Sequence, residues 1–165
     1  MPLSLSVQST RLLVTLLDAS QLMQLDARGD ELRRVQLPHY MEPHHAVESP
    51  TATFIVSHRN TEQHEVSEVN AGGEVLRQFS GSRLSSLGHA PHVAVDSHGN
   101  IFVADRDNRR ILLLDAQLKL RRVIIDEHQL KYKQPLRLCY TEHTGQLLVG
   151  FALVESVALF DVLRR

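Results

Sequence analysis

At 165 residues the chain suits one domain, long enough to bury about two-thirds of the surface its unfolded form exposes. Charged residues make up 22% and the formal net charge is -1, which excludes a global field drawing the protein to nucleic acid or anionic membrane. A single cysteine, Cys139, excludes an internal disulfide and any cysteine-rich zinc module, and fits a reducing, cytoplasmic setting.

Residues 1–17 carry no basic leader region, and Gln8, Ser9, Thr10 and Arg11 interrupt their apolar run, so neither a signal peptide nor a membrane span is expected. Leu3, Leu5 and Val7 alternate with Ser4 and Ser6, the period of a half-buried strand. Residues 11–16 and 21–26 pair as the next two strands, and Ala27-Arg28-Gly29-Asp30 turns the chain into a fourth; this first unit spans 1–38. The second unit, 39–86, opens with Pro43-His44-His45-Ala46-Val47-Glu48, continues through Phe54-Ile55-Val56-Ser57 and Val66 to Asn70, and turns at Ala71-Gly72-Gly73 into residues 75–79. Residues 80–90, rich in Gly and Ser, form the longest irregular stretch and are expected to be the most mobile loop.

The third unit, 87–130, has the clearest alternation. Val93 and Val95 form one strand, Ser97-His98-Gly99-Asn100 a tight turn, Ile101 and Val103 the second strand, and Ile111-Leu112-Leu113-Leu114 a third, buried on both faces. The fourth unit, 131–165, opens at Pro135 and leaves only Val162 to Arg165 for its last strand. Two anchors set the repeat. Asp26, Asn70, Asp115 and Asp161 close the third strands at spacings of 44, 45 and 46, and Pro43, Pro91 and Pro135 open units at spacings of 48 and 44. A period near 45 residues is the mark of propeller blades.

Val93-Ala94-Val95-Asp96, then Gly99-Asn100-Ile101-Phe102-Val103-Ala104-Asp105, then Asn108-Arg109-Arg110-Ile111 together resemble an NHL repeat, the blade unit of one class of β-propeller. The usual pattern has a Gly before the first strand, where this chain has His92. The resemblance implies an all-β propeller domain over 1–165, with about four NHL-like, four-stranded blades. The amino-terminal strand either becomes the outer strand of the last blade and closes a four-bladed ring, or is the inner strand of the first blade in an arc that a partner completes. NHL-like propellers commonly carry more blades, so the open arc is the expectation, with a homo-oligomer through unpaired blade edges as one way of completing it. The expected core includes Val14, Leu22, Ile55, Val56, Val93, Val95, Ile101, Val103, Ile111, Leu113, Val149 and Leu159.

Function is less legible. Ten histidines invite a metal hypothesis, and His44 and His92 each follow a Pro in two units, with His45 adjacent. The amidating lyases that cleave hydroxyglycine peptides are similar in repeat pattern and place zinc-binding His at such strand starts, which implies a metal-dependent lyase or hydrolase as an alternative. Here the spacing to the acidic strand end is one residue shorter, and Arg137 stands where a third ligand is wanted. The expectation is therefore no metal and no cofactor, with these residues lining a wet channel mouth. Glu48, Asp96 and Asp105 are read as strand ends meeting solvent, and Cys139 as an inert core thiol.

Arg106, Arg109 and Arg110, with Arg121 and Arg122 beyond, form a second cluster. NHL domains include members that bind protein and members that bind RNA, and an arginine can fork onto carboxylate or phosphate. Arg110, close to Asp105 and Asp107, is expected to tie its turn together with ion pairs, with Arg106 and Arg109 more open; the candidate partner-binding set is Arg106, Arg109, Arg110, His44, His92 and Arg137. No GxSxG, HExxH or P-loop spacing occurs. The leading expectation is a non-enzymatic scaffold holding a protein or peptide, as NHL domains of tripartite-motif proteins do. RNA binding through the arginine-bearing face is second.

Overall fold

The computed structural model describes residues 2–8, 10–82 and 85–162. The first blade comprises β1 (Pro2–Gln8), β2 (Arg11–Leu16), β3 (Gln21–Asp26) and β4 (Glu31–Gln36). The second comprises β5 (Glu42–Glu48), β6 (Phe54–Arg59), β7 (His64–Val69) and β8 (Val75–Phe79), followed by a short hairpin of β9 (Gly81–Ser82) and β10 (Ser85–Ser86). The third comprises β11 (His92–Val95), β12 (Ile101–Asp105), β13 (Arg110–Leu114) and β14 (Leu120–Ile125). The fourth holds β15 (Pro135–Thr141), β16 (Gln146–Phe151) and β17 (Val157–Asp161). Each sheet is an antiparallel meander in chain order, so the expected all-β propeller of four blades is what the chain forms. No helix among the described residues is long and apolar enough to cross a membrane.

The 44- and 45-residue spacing has a local cause. Asp26, Asn70 and Asp115 each end a third strand, and each side-chain oxygen Oδ1 accepts the backbone N–H groups two and four residues on. The same device, a carboxylate or amide mimicking a backbone turn, fixes the third-to-fourth-strand hairpin in three blades. Asp161 occupies the matching place at the end of β17, where it accepts from Gln146 Nε2 at 3.0 Å.

Three apolar seams hold the blades together. Leu13, Leu22, Val35, Phe54, Val56 and Val69 fill the seam between the first and second blades. Ile55, Val66, Val93, Ile101, Val103 and Leu112 fill the next. Phe102, Ala104, Ile111, Leu138, Leu147 and Val149 fill the last. Alternate residues of β6 and β12 therefore serve opposite seams, which is why these central strands are buried along their length.

The ends of the array depart from the sequence expectations. β1 pairs with β2 as the inner strand of the first blade, and no strand pairing joins the fourth blade to the first among the described residues. Among the described residues, therefore, the amino-terminal strand does not close a ring. A fourth strand for the last blade would fall on residues 163–165, outside the described ones. Val14 and Leu159 do not sit in a core: Val14 is half-buried and Leu159 is 56% exposed, because they lie on the faces of the first and last blades that no further blade covers. Cys139 is exposed on that same last face, paired across to Leu148, so it is not the core thiol expected. Val95 and Leu113 are half-buried at seam edges.

The loop over 80–90 is also more anchored than its composition predicts. Leu87 is buried, Ser86 O accepts from Asn108 Nδ2 at 2.9 Å, and Gly88 N donates to Asp105 Oδ1 at 2.8 Å. Only glycine fits at 88, where a Cβ would come within 2.7 Å of Asp107 Cβ. Asp105 itself is fully buried rather than solvent-facing, because Asn108 Nδ2 and Arg110 Nε also close on it, the latter at 2.7 Å. Arg110 is the structural tie expected. Asp105→Ala, which strands a guanidinium and two further donors, should lower the urea-unfolding free energy by about 3–5 kcal/mol; an unchanged midpoint would show the network to be idle.

Candidate functional site

The inner strands β1, β5, β11 and β15 line one axial groove of about 770 Å³. Their registers place one residue of each blade at the same level, since Ser4 pairs with Thr15, His45 with Ser57, His92 with Ala104 and Arg137 with Gly150. In β1, β5 and β15 the register shifts by one residue just before this level, while β11 has no shift. The extra residue of β5 is His44.

This corrects the sequence alignment, which put His44 against His92. The signal that finds the right pairing lies downstream. Ser49 Oγ accepts Thr51 N and Thr53 N as Asp96 Oδ1 accepts His98 N and Asn100 N, so Ser49 and Asp96 are equivalent, and counting back four residues from each reaches His45 and His92. Ser4 was missed altogether, because a serine alternating with leucine reads as the solvent face of a strand.

Three of the four residues of this level touch in sequence, and the third bonds the backbone beside the fourth. Ser4 Oγ and His45 Nδ1 share a hydrogen bond, and the His45 and His92 rings stack with centroids 3.7 Å apart. His92 Nδ1 accepts the backbone N–H of Leu138 at 3.3 Å, clamping the third blade to the fourth. That acceptor role requires an unprotonated Nδ1, so the neutral ring carries its proton on Nε2. Burial, reinforced by the neighbouring Arg137 charge, pushes His45 down to about 4. Burial, then His45 and Arg137, pushes His92 down to about 2. Both rings are neutral at pH 7.

His44, displaced by the bulge, is held down to about 4 mainly by burial and next by His64. Its Nε2 is buried with no hydrogen-bond partner. A smaller cavity of about 110 Å³ adjoins it, lined by Ser4, His44, His45, His92 and Arg137. From His44 a chain of imidazoles runs outward, with His64 at 5.5 Å, His89 a further 5.0 Å on, and His89 Nδ1 held to Asp107 Oδ2 at 2.5 Å. These histidines do not converge: among the described residues no three His, Cys, Asp or Glu side chains meet as a metal ion requires.

The arginines separate as well. Arg137 lines both cavities, and its Nη1 donates only to the Leu136 carbonyl at 3.0 Å. Arg106 and Arg109 sit on the turn between β12 and β13, at the same end of the blade as His92 by register. Arg106 Nε reaches Gln134 Oε1 at 3.5 Å, and Arg109 is exposed in a left-handed conformation. Arg121 and Arg122 lie on the outer strand β14, away from the groove. The acidic residues of the groove are already engaged. Glu48 accepts Gln24 Nε2 at 2.7 Å across the first seam, and Glu142 is held below the usual carboxylate range across the last by the Ser97 hydroxyl first and then by Ser97 N, which donates at 3.0 Å.

No protein-family model matches the chain, and neither does any curated protein sequence. Solved structures do. A protein of unknown function from Bacteroides caccae matches with a TM-score of 0.65 at 16% identity, over 98% of this chain and 57% of its own. A luciferin-regenerating enzyme matches with a TM-score of 0.67 at 14% identity, over 98% and 58%. Virginiamycin B lyase from Staphylococcus aureus matches with a TM-score of 0.61 at 11% identity, over 95% and 54%. The chain thus spans little more than half the length of each, and at these identities the likeness is one of fold: four consecutive β-propeller blades.

Proposed function

We propose that the chain is a non-enzymatic binding module whose axial groove holds an extended peptide or protein segment, in keeping with its NHL-like motifs. The observation that carries this reading is the groove's lining. Leu5, Val7, Val47 and Val95 give it apolar walls, and its ionised groups are three carboxylates, Glu48, Asp96 and Glu142, against the single guanidinium of Arg137. An apolar groove with a few placed polar groups suits a polypeptide, whereas an acidic lining repels a polyphosphate. Glu48 and Glu142 are tied to neighbouring blades and Asp96 to its own turn, so they serve assembly better than acid–base chemistry. Two of the similar solved structures are named as enzymes, which shows that enzymes share this fold and leaves the site to decide.

Fluorescence anisotropy distinguishes the classes. A labelled random octapeptide pool should bind saturably and with little salt dependence. A labelled single-stranded RNA should bind weakly and lose about 0.7 log units of affinity per phosphate contact per log unit of salt. Tight RNA binding with no peptide binding would overturn the reading in favour of the face bearing Arg106 and Arg109.

A further inference from the structure

We propose that Arg137, His92, His45 and Ser4 together form a seat for a carboxylate at the upper end of the groove. The inference rests on the peptide-binding reading above and names the group that the peptide presents.

Arg137 is set apart from the other described arginines by its position, since it alone among them lines both cavities. Arg11, Arg34, Arg59, Arg77, Arg110 and Arg121 each have a carboxylate within ion-pair distance. Among the described residues Arg137 has none, although it lies between two cavities in the concave centre of the array. A guanidinium there offers a planar fork of N–H donors, the geometry that matches a carboxylate's two oxygens.

Of its neighbours, His92 adds a donor without adding charge, while His45, already bonded to Ser4 and to the Val93 backbone, holds that ring by stacking. The close parallel stacking of His45 on His92 is compatible with two neutral rings and opposes two charged ones. With Nδ1 of His92 committed to Leu138 N, the ring's remaining N–H is available to a ligand. His44 Nε2, buried and unpartnered beside the same small cavity, is an independent sign that a polar group belongs there. The cavity's 110 Å³ is room for a carboxylate with a water or two, taking about 30 Å³ per water, and not for a nucleotide. One cation with a neutral donor beside it balances the single charge of a carboxylate. A phosphate dianion would be left undercompensated, since Arg137 is the one charged residue in that cavity's lining.

Such a carboxylate comes either from a peptide C-terminus or from an Asp or Glu side chain. Three amino-terminally fluorescein-labelled random octapeptide pools separate these sources: one with a free C-terminus, one amidated, and one amidated with Asp fixed at the last position. The free-acid pool should bind wild-type protein at least about tenfold more tightly than the amidated pool, as the loss of a charge-assisted hydrogen bond implies. Arg137→Gln should abolish that difference, and Arg137→Lys, which keeps the charge but loses the fork, should fall between. Recovery of affinity with the Asp-bearing pool assigns the seat to side chains as well as termini. Equal binding of all three pools to wild type would overturn the seat and leave the groove reading standing. Binding by none would overturn both.

Discussion

Val103→Asp is expected to leave no cooperatively folded population at 25 °C. Val103 is fully buried in the seam between the second and third blades, paired across β12 to Val93 on one side and Leu112 on the other. The substitution forfeits about 1.5–3 kcal/mol of side-chain burial. It also places a carboxyl where no described cation reaches, at a further cost of several kcal/mol whether it stays ionised or takes up a proton. Against a total stability of about 5–15 kcal/mol for a domain this size, that is enough to unfold it. The damage is not confined to one blade, since each blade buries its faces only against its neighbours. Circular dichroism with a thermal melt checks the expectation: a soluble variant melting cooperatively near the wild-type temperature would contradict the seam assignment.

Acidification is the second large effect. His45 and His92 have folded-state pKa values far below the 6.5 of the unfolded chain, so between those values the unfolded state binds more protons than the folded one. The sign follows: their contribution is fully present above pH 6.5 and is lost as pH falls below it. At pH 5, each ring that must remain neutral costs about 2 kcal/mol, at 1.36 kcal/mol per pH unit. His44 acts in the same direction with a smaller effect, since it is partly exposed. The carboxylates with lowered values, Glu31, Asp107, Asp115 and Glu142, lose their contributions only at lower pH, so the interval from 7.5 to 5 isolates the imidazoles. Urea-unfolding midpoints should fall clearly across that interval, and His45→Gln should reduce the fall. A midpoint indifferent to pH would mean that these rings are solvated.

What the sequence made legible is what a turn or an alternating strand writes into a few adjacent residues. Asp26, Asn70 and Asp115 repeat because each caps the same hairpin with the same oxygen, and a cap is a local device. Burial along β12 was readable for the same reason, since apolar residues on both of its faces can only mean two neighbours. The hub was harder. A one-residue shift in β5 changes which histidine faces the axis, and nothing in Pro43-His44-His45 announces the shift; only the distant turn at Ser49 does. Cys139 and Leu159 misled because an apolar strand residue looks the same whether or not a further blade covers it. Asp105 misled in the opposite sense, its burial resting on Gly88 from another loop.

The claim on which the site depends is that four inner strands converge in register and withdraw His45 and His92 from water as a stacked, neutral pair. An NMR titration following the ring proton resonances of all ten histidines tests it most directly. His45 and His92, assigned through His45→Gln and His92→Gln, should show no titration between pH 8 and pH 5. Ordinary titration of both rings near 6.5 would contradict the hub as described here.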